Sequence, residues 1–142
     1  MRLLITIFLV LFTYPLNVSA QEPNFDQANA AVVNAGAPRF KFTSGEIFNF
    51  GTIKKGQKVQ HKFEFTNIGK EPLSIVYVTP SCGCTIADWP KKPVLPGKKA
   101  VINITFNSKD QSGDVSKEIS IQSNAVTVGD FYMLYIKGTV TQ

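Results

Sequence analysis

From Arg39 onward apolar and polar residues alternate with a period of two, the mark of strands that bury one face. In "FNFGTI" the alternation puts Phe48 and Phe50 on one face. In "HKFEFTN" it turns Phe63 and Phe65 inward and Lys62, Glu64 and Thr66 outward. "LSIVYV" follows, then "VINITFN", where Ile102, Ile104 and Phe106 share a face, and "KEISIQS", where Ile119 and Ile121 do. "FYMLYIKGTV" is the last such run. Turn-forming residues punctuate the series at Lys55-Gly56, Gly69 to Pro72, Pro96-Gly97, Ser112-Gly113 and Gly129-Asp130. Short strand runs at this spacing, with no helical period among them, predict an all-β, antiparallel β-sandwich of about seven strands.

The first residues follow a different rule. "MRLLITIFLVLFTYPLNVSA" sets a single cation, Arg2, before an apolar run from Leu3 to Phe12, then Pro15 and the small tripeptide Val18-Ser19-Ala20. This is the pattern of a signal peptide cleaved after Ala20. The run is shorter than the ~20 apolar residues that cross a bilayer, so no membrane span is expected in the mature chain. The expected location is periplasmic or secreted. Residues 21–38, polar and rich in Ala and Asn, read as a flexible leader to a domain spanning 39–142. That domain has the ~100 residues of an immunoglobulin-type fold, and a chain of this size buries an adequate core without crosslinks.

The formal charge of the whole chain is +5, and lysines come in pairs at turns: Lys54-Lys55, Lys91-Lys92 and Lys98-Lys99. Such pairs make solvated, edge-protecting surface, and no basic stripe is interleaved with stacking aromatics. Nucleic acid is therefore not an expected partner.

Candidate chemistry is concentrated in "SCGCT", which holds both cysteines, Cys82 and Cys84, one glycine apart. An oxidising compartment favours a disulfide or redox pair. In an extended segment their Cα atoms would lie roughly 6.6 Å apart, so a bond needs a tight turn, for which Gly83 is suited. Two thiolates at this spacing also suit a soft ion such as copper. The lone histidine, His61, falls at the sandwich end expected to carry this loop, where it is either a third ligand or a half-buried cap on the core. Inert burial of both cysteines is a further reading. A Cys–His nucleophile is disfavoured, because no motif supplies an orienting Asn, Asp or Glu. Trp89, just past the loop, is either an aromatic anchor for a partner or a cover for the open end of the core.

Read in order, "FNFGTIKKGQ", "FEFTNIGKEPLSI", "SCGCT", "VLPGKKAVINITFN" and "KEISIQSN" resemble the bacterial domain-of-unknown-function family fifteen seventy-three, related to Hydin-like immunoglobulin-fold modules. The resemblance runs through residues 46–125, and "LYIKGTV" extends it. It implies an exported sandwich module and leaves the role open. The expectation is thus a non-enzymatic binding or scaffolding module for a protein or cell-envelope partner, with no obligatory cofactor. The competing expectation is a copper-binding or thiol-redox protein using Cys82 and Cys84, with His61 as a possible metal ligand.

Overall fold

The structure is a computed structural model that describes residues 35–127 and 131–142. The proposed signal peptide, most of the leader and the Gly129-Asp130 turn lie outside the described residues. Eight strands succeed one another: β1 (Phe40–Phe42), β2 (Ile47–Lys54), β3 (Lys58–Asn67), β4 (Ile75–Pro80), β5 (Thr85–Asp88), β6 (Lys99–Asn107), β7 (Gly113–Ser123) and β8 (Tyr132–Thr141). They form two four-stranded sheets, ordered β1-β3-β6-β5 and β2-β8-β7-β4.

The period-two positions become the core. Phe63, Phe65, Ile102, Ile104, Phe106, Ile119 and Ile121 are all buried, with Leu134 and Ile136 of β8 meeting them from the second sheet. Phe48 and Phe50 are half-buried against that core. Gly138 occupies the inward position that follows Leu134 and Ile136, and the Phe50 ring fills the space a side chain there would take. Phe50 in turn stacks on Phe106 at 5.4 Å between centroids.

Two features depart from the expected all-antiparallel order. The chain switches sheets between β1 and β2, bending at Gly45 with φ of 77°. β2 then runs parallel to β8, whereas every other strand pairing is antiparallel. A strand arriving from the opposite sheet keeps its own direction, so it meets the last strand side by side rather than head to tail. The β2 ladder also slips between Asn49 and Thr52.

At one end the loops are tied together by a buried amide. Asn67 is fully buried. Its Nδ2 donates to the carbonyls of Glu71 (2.7 Å) and Val94 (2.9 Å). Its Oδ1 accepts from the backbone N–H of Gly69 (2.9 Å) and Arg39 (3.3 Å). All of the capacity of this side chain to donate is used, as a buried polar group requires. At the other end Ser108 plays a comparable part, its hydroxyl lying 2.8 Å from the Gln57 carbonyl and 3.2 Å from that of Lys54.

Candidate functional site

The cysteine turn is where the chain crosses from one sheet to the other. β4 is the outer strand of its sheet and β5 the outer strand of the other, so residues 81–84 span one lateral edge of the sandwich. Cys82 and Cys84 form a disulfide, with Cα atoms 5.2 Å apart. The short separation comes from a reverse turn in which the Thr85 N–H donates to the Cys82 carbonyl at 3.3 Å. Gly83 is not in the left-handed region, and a Cβ there would meet nothing. The turn therefore does not use the conformational freedom for which glycine was expected.

Both flanks of the turn are fixed. Ser81 N–H donates to the Glu118 carbonyl (2.8 Å), and Ser81 Oγ accepts from the Glu118 N–H (3.1 Å). Asn107 N–H donates to the Cys84 carbonyl at 2.8 Å. Thr85 is buried, and its Oγ1 lies 3.6 Å from Cys82 Sγ and 3.9 Å from Cys84 Sγ. The cysteines themselves are half-buried, with Cys84 packed against the core.

The β2–β3 turn, the loop after β6 and the end of β8 do meet at one end, through Ser108 N–H to Gln57 carbonyl and Lys55 N–H to Thr141 carbonyl. His61, however, does not approach the cysteines. It is paired across β3 and β6 with Ile104, which is paired in turn with Ala87 of β5. Two strand spacings and three residues of rise separate it from Cys84, roughly 14 Å between Cα atoms. His61 instead lies flat on Phe48, with centroids 3.8 Å apart and planes at 7°, and meets Phe63 edge-on at 4.5 Å. Burial holds its pKa below the ordinary value of 6.5, which keeps it neutral. It closes the seam between the sheets. The set Cys82, Cys84 and His61 is thus not assembled, and among the described residues no three His, Cys, Asp or Glu side chains are placed to share a metal ion.

Trp89 is half-buried against the core, and the Lys91 ammonium sits over its ring, 3.0 Å from the centroid. An open hollow of about 540 Å³ lies elsewhere, over the bulge of β2 and beside Asn49, Thr52, Asp114, Ser116, Lys137 and Thr139. Within it the Thr139 hydroxyl donates to Asp114 Oδ1 at 2.8 Å.

The model of one family of proteins of unknown function, DUF1573, matches residues 40–140, nearly the whole sandwich. The chain belongs to the DUF1573 family. No match is found among curated proteins. Among solved structures, this DUF1573 domain is similar to a protein of unknown function from Porphyromonas gingivalis W83, with TM-score 0.64 and 17% identity over 75% of this chain. It spans about half of that protein, 48%. The ASH/PapD-like domain 7 of human CEP192 is similar at TM-score 0.56 and 12% identity, over 75% of this chain and 88% of that one. The Vibrio cholerae VesB protease contains a similar region at TM-score 0.57 and 13% identity, covering 81% of this chain and 35% of the protease. At these identities the likeness concerns the fold alone, which is immunoglobulin-like, of the PapD-like kind. Among the described residues no helix of the DUF1573 domain is long and apolar enough to cross a membrane.

Proposed function

We propose that the chain is an exported, non-enzymatic interaction module that meets a protein or envelope partner along the edge formed by β4 and β5. The observation that carries this reading is the composition of that edge. Val76, Tyr77 and Ile86 are 53%, 61% and 69% exposed, and all three belong to β4 and β5, each of which is an outermost strand of its sheet among the described residues. Apolar side chains beside unpaired backbone are costly to leave in water and are useful when a partner covers them. The disulfide turn and the Lys91-covered Trp89 flank this edge and hold its shape. The disulfide also supports export to an oxidising compartment, which N-terminal sequencing of the mature chain tests: it begins at Gln21 if the signal peptide is cleaved after Ala20.

The edge itself is tested by placing a photo-crosslinking amino acid at Ile86 in the native host, with Lys109 as a control position. A discrete adduct from Ile86, lost on Tyr77→Asp and absent from Lys109, supports the reading. Failure to form any adduct from the edge, or identical adducts from both positions, sinks it.

A second reading, thiol–disulfide exchange, has its own support. The disulfide closes a loop of only three residues, is half-exposed, and has a hydroxyl beside both sulfurs. A reduction potential above that of structural disulfides, near −200 mV or higher rather than below about −300 mV, would favour it.

A further inference from the structure

The opposite lateral edge of the sandwich is incomplete, and its chemistry differs from that of the cysteine side. β1 accompanies β3 only at Phe65 to Asn67, with one further bond beyond each end, from the Ile68 N–H to the Arg39 carbonyl (3.0 Å) and from the Thr43 N–H to the Glu64 carbonyl (2.9 Å). There the chain leaves for the other sheet, and β3 continues without a neighbour on that side. Since Glu64 directs its carbonyl toward β1, strand geometry directs the N–H and C=O of Lys62 and Gln60 the same way. Their partner residues on β6 face the other side of β3, so the ladder to β6 does not satisfy them. Among the described residues this is an open strand edge presenting donors and acceptors alternately.

Charge distinguishes this edge. From Ile47 to Phe63 there are four lysines, Lys54, Lys55, Lys58 and Lys62, and no Asp or Glu. All four are exposed. The acids at either limit are already engaged: Glu46 accepts from the Tyr132 hydroxyl at 2.7 Å, and Glu64 accepts from Lys99 Nζ at 3.0 Å and from Thr43 Oγ1 at 3.1 Å. Beneath the edge, the seam between the sheets is lined by half-buried Phe48, Val59 and His61.

We propose that the Lys58–Lys62 edge of β3 is a docking site for an extended acidic polypeptide, which adds as a fifth strand to the β1-β3-β6-β5 sheet. Its carboxylates at alternate positions would lie opposite Lys58 and Lys62 on the outer face, where opposite charges on facing strands attract. Its intervening apolar side chains would cover Phe48, Val59 and His61. A second copy of this chain is the wrong occupant, because antiparallel self-pairing would set lysine against lysine. An anionic polysaccharide would satisfy the lysines but could not supply a ladder of alternating amides and carbonyls. A polypeptide satisfies both. This site lies across the sandwich from the β4–β5 edge and stands or falls independently of the role proposed there.

The test uses the purified protein and a short capped peptide of alternating glutamate and valine, followed by amide hydrogen exchange resolved by NMR. The expected result is slowed exchange at Gln60 and Lys62, binding weakened about tenfold or more in Lys58→Glu/Lys62→Glu, and binding lost when the peptide glutamates, whose N–H groups face β3 in an antiparallel ladder, are N-methylated. Both substituted positions are exposed, and an unchanged melting temperature verifies that the variant is folded. Binding without protection of Gln60 and Lys62, or equal binding of the N-methylated peptide or of dextran sulfate, reduces the site to simple charge attraction and overturns the proposal. So does the absence of binding at millimolar peptide.

Discussion

The imidazole of His61 lies parallel to the ring of Phe48 at 3.8 Å, filling the gap between the two sheets where β1 has left β3 without a neighbour. Burial at this seam makes a proton costly. Burial lowers the folded-state pKa of His61 below 6.5, so the unfolded chain takes up the proton first as pH falls. The stability associated with a neutral His61 is therefore fully present above pH 6.5 and is lost as pH falls through that value toward the folded pKa. Melting temperatures measured from pH 8 to pH 5 should fall for the natural chain. In His61→Phe, which keeps an aromatic ring on Phe48, the part of that fall due to His61 should vanish. An unchanged slope in the variant would show that other groups carry the dependence.

Gly138 has no room for a methyl group, because the Phe50 ring and the Gly51 carbonyl occupy the space. Gly138→Ala is expected to cost about 2 kcal/mol or more through overpacking. Combining it with Phe50→Leu should cost less than the sum of the two single changes, since the smaller side chain vacates part of the space. Urea unfolding of the three variants measures the coupling, and strict additivity would count against this packing.

Removing the Asn67 amide orphans the Glu71 carbonyl and the Gly69 N–H and takes one of two donors from the Val94 carbonyl, which keeps the Leu73 N–H. Asn67→Ala should destabilise by about 3 kcal/mol. Asn67→Asp should be worse at neutral pH, since it turns an oxygen toward two carbonyls and buries a charge. Burial raises the pKa of such a carboxyl, so its deficit relative to the natural chain should narrow as pH falls toward 4 and the group protonates. Denaturant titrations at the two pH values distinguish these effects.

The disulfide is expected to matter little to global stability. Closing a loop of three residues constrains the unfolded chain by at most about 1.6 kcal/mol. Cys82→Ser/Cys84→Ser should therefore remain folded, with a melting temperature only a few degrees lower. Gly83→Ala should be neutral, because its φ is not positive and its Cβ would meet nothing. Unfolding of the double variant at room temperature would show that the turn holds the sheets together after all.

The core was legible because β3, β6 and β7 are long enough to show several periods of alternation, and their inward residues are the buried ones. β1 and β5 escaped notice because three and four residues span too little of the period to stand out. Strand direction leaves no trace in alternation, so the parallel pairing of β2 with β8 was not foreseeable. For His61, its end of the sandwich was readable but its lateral place was not, since sheet order determines that β6 lies between its strand and the one that follows Cys84. Asn67 passed for an ordinary turn residue. Its only signal was an Asn two positions before Gly69, where the chain passes so close to Ala37 and Pro38 that a Cβ would collide with backbone.

β8 lies between β2 and β7 in the middle of its sheet, although it is the last strand in sequence. A growing chain therefore holds β2 without the strand it pairs with among the described residues until residues 132–141 emerge, so the order of synthesis works against early closure. The final pairing joins segments more than 80 residues apart, from Ile47↔Tyr135 to Lys54↔Thr141, and such long-range closure is slow. A domain wired in this way completes its second sheet only at a late step.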